Sequence, residues 1–169
     1  MRVIKNQTFL LILLINMKLL LQAITTAISA APALSYLQWV GVLDSEYIPP
    51  PEEPGFPLIG LIDGGILPIS FPGRKDLETL SVRVVAYQSL LDADPGAHLL
   101  GIATLPTNQG KGLLDIAQDL KVLLNDNFLS LTNIHYAHRD RVEPSEMVVD
   151  PAGRFILMQK SWFTYRRYV

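Results

Sequence analysis

His135, His138 and Asp140, in the run HYAHRD, are the residues whose types would suit a metal ion. They fall in Thr132–Arg141, which reads as a strand, and residues three apart on a strand point to opposite faces. The two imidazoles are therefore expected to diverge, and no metal or other cofactor is expected. Gly110-Lys111-Gly112 opens a helix as a phosphate cradle would, but it lacks the earlier glycine and the Ser or Thr after the lysine. It is read as a flexible lead-in to the helix. Asp115 and Asp119 share a helix face at i, i+4 and are read as solvated carboxylates, since an acid/base pair needs a partner element. Ser130, Ser145 and Ser161 have no G-x-S-x-G context. No catalytic set emerges, and the chain is not expected to be an enzyme.

The elements that would position these side chains follow from periodicity. Leu113, Ile116, Ala117, Leu120, Leu123 and Leu124 form the apolar stripe of a helix over about Gly112–Leu124. Leu58–Ile62 reads as a strand ending at the turn signal Asp63-Gly64-Gly65, with Ile66–Phe71 pairing back as a hairpin and Pro68 placing it at an edge. Leu80–Leu90 is the strongest strand. Both of its faces are partly apolar, which suits cover by a helix on one side and by a neighbouring subunit on the other. Phe155–Tyr168 is a long closing strand after the turn Asp150-Pro151-Ala152-Gly153, and Tyr36–Leu43 is either a helix or a strand. Residues 92–110 form a long connection, with a short ordered piece over Leu99–Ala103.

Five prolines between Pro49 and Pro57 make residues 44–57 an extended stretch that cannot sit inside a sheet, read either as an arm or spanning linker or as an ordinary stiff surface loop. The N-terminus has two outlines. Arg2 and Lys5 before an apolar run, then AISAAPA, resemble a secretory signal. Asn16, Lys18, Gln22, Thr25, Thr26 and Ser29 interrupt that pattern. Leu20, Ile24, Ala27, Ile28 and Ala31 instead form an amphipathic helical stripe, and Lys18 mid-span argues against a membrane helix. Met17 is an alternative start, which would leave residues 1–16 as an apolar extension before a single domain, 17–169.

At 169 residues, with 49% apolar and 18% charged residues, the chain fits one domain with a real core. Its net charge of −2 argues against a dedicated nucleic-acid binder, and the absence of cysteine excludes disulfides and thiolate metal sites. The fold expected is α+β. A mainly antiparallel sheet of about four strands is packed by the N-terminal helix and one central helix, with the Pro-rich arm extended.

Five features carry a resemblance. They are the leading helix MKLLLQAITTAISAAPAL, the Pro-rich segment before FPLIGLIDGG, the strand LSVRVVAYQ, the helix KGLLDIAQDLKVLLNDN and the closing SWFTYRRYV. In their order the chain resembles the tail-terminator (tail-completion) proteins of long-tailed bacteriophages. The resemblance implies a structural virion protein of the tail and neck, assembled in the host cytoplasm. It implies a ring, typically a homohexamer, that caps the tail tube, ends its polymerisation and joins it to the head–tail connector or head-closure protein. DNA would pass through the lumen without specific contact, and no membrane is involved.

Other readings are a different neck component (head closure, connector or tail-tube subunit) or a secreted or anchored binding domain. The subunit interface is expected at Tyr47, Ile48, Pro49, Pro50 and Pro51 on the arm, and at Trp162, Phe163, Tyr165, Arg166 and Arg167 on the last strand, because Arg with aromatic residues is the usual interface mixture.

Overall fold

A computed structural model describes residues 3–46, 55–69, 77–89, 96–101, 110–131, 133–149 and 153–168, with the backbone course alone for 3–16. The protein is α+β. Helix α1 (Val3–Ala30) leads through a single 3-10 turn (Pro32–Leu34) to strand β1 (Trp39–Val42). Strands β2 (Leu58–Ile69) and β3 (Leu77–Ser89) follow, then helices α2 (Ala97–Leu100) and α3 (Leu113–Leu124), then strands β4 (Ile134–Val142), β5 (Glu146–Val149) and β6 (Phe155–Tyr168).

The described strands form one mixed sheet of six, ordered β1-β2-β3-β6-β4, with β5 also on β6. This exceeds the four strands expected. Two short strands account for the difference. β1 joins the sheet parallel to β2, and β5 is a four-residue strand with only one half-buried side chain, too short to show a period. The remaining pairs are antiparallel.

The hairpin expected after Ile62 does not form. Asp63-Gly64-Gly65 is absorbed as a bulge within β2, and both halves of that strand pair with β3. The Gly65 N–H donates to Asp63 Oδ1 at 2.7 Å, and Gly65 sits at φ 94°, which glycine adopts without steric cost. A side chain at Gly64 would meet the Ser81 carbonyl at 2.8 Å, so the strands stay close through the irregularity. Pro68 tolerates its position because β1 pairs only with Leu58–Leu61, which leaves the outer edge of that stretch without a ladder partner among the described strands.

Helices α1 and α3 cover one face of the sheet. Leu20, Ile24 and Ile28 of α1 and Leu113, Ile116, Leu120 and Leu124 of α3 are buried against Ile59, Leu61, Leu80, Val82, Val84, Phe163 and Tyr165. Lys18 does not break α1. It lies exposed while Met17, Leu20 and Leu21 turn inward. The GKG segment is not a loose lead-in. A Cβ on Gly112 would stand 2.3 Å from the Gly101 nitrogen and 2.5 Å from the Leu99 carbonyl oxygen, so α2 and the start of α3 touch through backbone. Asp115 and Asp119 are likewise engaged. Asp115 Oδ2 accepts the Gly112 N–H at 3.1 Å, and Asp119 Oδ2 accepts from Tyr36 Oη at 3.2 Å and pairs with Lys111 Nζ at 3.1 Å.

Candidate interaction surface

Among the described residues the sheet's other face is covered only in part. At one end a second apolar cluster gathers Leu43, Leu58, Ile62, Val85, Tyr87, Ile156 and Met158. The chain leaving β1 lies over this cluster. Tyr87 Oη donates to the Glu46 carbonyl at 2.9 Å, and the Glu46 carboxylate pairs with Lys160 Nζ at 2.8 Å and with Arg83. Burial pushes the Tyr87 phenol above the ordinary tyrosine range, partly offset by Arg83. Glu46 therefore clamps the root of the Pro-rich segment onto the sheet. Residues 47–54, and with them Tyr47, Ile48, Pro49, Pro50 and Pro51, lie outside the described residues.

In the middle of this face stands Trp162. Its Nε1 donates to Glu143 Oε1 at 2.8 Å, and the guanidinium carbons of Arg83 and Arg141 lie 4.9 and 4.8 Å from its ring centroid. Arg141 also pairs with Glu143 at 3.1 Å, and Lys160 with Glu146 at 2.6 Å. The cations around Trp162 are matched by carboxylates.

Among the described residues the far end of the face is open. Register places Leu67, Thr79, Arg166 and Tyr136 in one row and Ile69, Leu77 and Tyr168 in the next. Arg166 lies 4.6 Å over the Tyr136 ring, and His135 stacks on Tyr168 with centroids 5.1 Å apart. Leu67 is 67% exposed, Tyr168 53% and Ile69 42%.

The interface expected on β6 is divided by strand alternation. Trp162 and Arg166 lie on the partly open face. Phe163 and Tyr165 are fully buried beneath the helices, and Arg167 is buried in a pair with Glu78. These three hold the fold of the chain itself, because side chains at odd positions of β6 turn toward α1 and α3. The expected divergence of His135 and His138 also fails. A bulge between Ile134 and Tyr136 adds a residue, so His135 reaches Tyr168 and His138 approaches Tyr136, with centroids 6.0 Å apart, on the same face. They remain in separate ring contacts, and among the described residues no group of three or more His, Asp or Glu side chains could hold a metal ion. Asp140 accepts from Thr164 Oγ1 instead.

No family model matches this sequence, and no curated protein matches it.

Glu46, Arg83, Tyr136 and the pair Leu67 and Ile69 were not singled out from sequence as surface-forming. The alternation of β3 around Arg83 carried part of the signal. The remainder depended on two bulges and a parallel pairing, which periodicity does not encode. Among the described residues no helix is long and apolar enough to cross a membrane.

Proposed function

We propose that this chain is a non-catalytic, ring-forming structural subunit that acts as a tail terminator. Copies close into a ring, typically a hexamer, that caps a tail tube, stops its growth and joins it to a head–tail connector while DNA passes through. The observation that supports this reading best is the open end of the sheet, where Leu67, Ile69 and Tyr168 expose apolar surface from the strands themselves. Contiguous apolar surface of that kind is characteristic of association sites. Free sheet edges at β1 and at β4, among the described strands, add to it. A ring satisfies such edges in a closed set, whereas an open sheet templates uncontrolled pairing. The net charge of −2 suits a lumen that releases DNA, since strong phosphate neutralisation would hold it. The Pro-rich arm, stiff and cheap to order, supplies a reach between subunits.

Light scattering coupled to size exclusion, with negative-stain imaging of the same peak, tests the ring. A discrete closed ring that arrests growth of the cognate tail tube is the expected result. Open-ended polymers would instead assign a tube subunit, and a monomer that stays monomeric with tail tubes would overturn the reading.

A further inference from the structure

We propose that the open end of the sheet is the docking site for the Pro-rich, acidic arm of a second copy of this chain. This rests on the ring reading above and names the contact that would join neighbours.

The subunit's own arm cannot serve. Nine peptide units separate Glu46 from Gly55, and a fully extended chain of that length spans at most ~32 Å. Glu46 is fixed beside Arg83, Tyr87 and Lys160. The chain must also return to Gly55, which lies against Gln38 just before the Leu58–Tyr87 pair. Going out to the row of Thr79 and back to the level of Tyr87 crosses some twelve strand positions, or ~40 Å at ~3.3 Å per residue. The rows of Leu67 and Ile69 are therefore out of reach in the same chain, and a covering arm must come from another.

The chemistry of the two partners matches. The arm reads Tyr47-Ile48-Pro49-Pro50-Pro51-Glu52-Glu53-Pro54. Consecutive prolines favour a polyproline II course, which binds aromatic-lined surfaces at low entropic cost. The open sheet end offers two aromatic rings, Tyr136 and Tyr168, one braced by Arg166 and the other by His135. Arg166 is exposed and has no carboxylate partner among the described residues, so it is available to the paired glutamates. Leu67 and Ile69 supply apolar surface for Tyr47 and Ile48.

The chain has no cysteine, so single thiols can be placed at will. A full-length Ile48→Cys chain is mixed with a mass-tagged Leu67→Cys chain and oxidised with diamide. A mixture of Ile48→Cys with Gln118→Cys, at an exposed position on α3, serves as control. The native mass of each mixture is measured before oxidation. The expected result is a mixed disulfide dimer well above control. Adding Arg166→Glu to the Leu67→Cys chain lowers its yield about fivefold, the range of a close charge pair, and adding Glu52→Arg to the other chain restores it. A ring that forms with no mixed dimer above control overturns this contact and leaves the ring reading standing. A monomer with no mixed dimer overturns both. A mixed dimer within open chains of copies supports the contact and overturns the closed ring.

Discussion

The guanidinium of Arg167 donates from Nε to Glu78 Oε2 at 2.7 Å, and both side chains are almost wholly withdrawn from water. The pair ties the last turn of β6 to the start of β3, at the end of the sheet where the open surface lies. Arg167→Ala is expected to cost ~3–5 kcal/mol, because it strands a buried carboxylate. The double change Glu78→Leu with Arg167→Met should recover most of that loss, since it leaves no orphaned charge. Chemical denaturation of the two variants beside the unaltered chain checks both statements, and equal losses in the single and double variants would contradict them.

Gly112 and Gly65 separate two causes of glycine dependence. Gly112→Ala brings a methyl carbon to 2.3 Å from the Gly101 nitrogen and should cost more than ~2 kcal/mol, because backbone must move. Gly65→Ala meets nothing within 4 Å but carries φ 94°, so only conformational strain of ~1 kcal/mol is expected. Thermal unfolding of both should rank Gly112→Ala as clearly the less stable.

The phenols of Tyr36, Tyr87 and Tyr165 are all raised by burial above the ordinary tyrosine value, and Asp119 adds to the effect at Tyr36. Raised folded values mean the folded chain keeps protons that the unfolded chain loses above pH ~10. Stability should therefore be flat with respect to these groups below that pH and fall as pH rises beyond it. Absorbance titration at 295 nm should show late-ionising tyrosines that titrate normally in guanidinium. The Tyr165 hydroxyl is buried with no hydrogen-bond partner among the described residues. Tyr165→Phe should leave stability unchanged or raise it by ~1 kcal/mol, and it should remove one late-ionising group.

Leu67→Ser combined with Ile69→Ser tests the open surface against the core. Both side chains are exposed, so stability should move by no more than ~0.5 kcal/mol per site. Native mass is expected to fall toward the monomer. Ile116→Ala, at a fully buried position on α3, should instead cost ~2–5 kcal/mol. A double serine variant that keeps its native mass would show that this surface plays no part in assembly.

Much of the scaffold was legible in the sequence because its stronger elements are long and periodic. The stripe Leu113, Ile116, Ala117, Leu120 and Leu124 is the buried face of α3, and the alternation around Val82, Val84 and Ala86 is the helix-covered face of β3. Asp63-Gly64-Gly65 misled because its residues suit both a tight turn and a bulge, and only the partner strand decides between them. The surface was legible by residue type but not by parity. Trp162 and Arg166 differ from Phe163, Tyr165 and Arg167 by which way β6 turns each side chain, and composition is silent on that. Tyr36, Asp119 and Lys111 meet across 83 residues of chain, a contact no local pattern announces.

The bulge in β2 has a consequence for sequence change. Between Asp63 and Ile66 the strand advances three residues while β3 advances two, so every side chain beyond it is one step out of phase with those before. Strict alternation through all of these residues would turn Leu67 and Ile69 inward beneath the helices, and Ile66 and Pro68 outward. The bulge absorbs the extra residue, so Ile66 stays opposite Leu80 and the exposed pair stays outward. Deleting Gly64 or Gly65 would match two residues with two on β3 and keep that facing. One local irregularity, with no change in side-chain chemistry, separates a sheet that hides its hydrophobic residues from one that offers them.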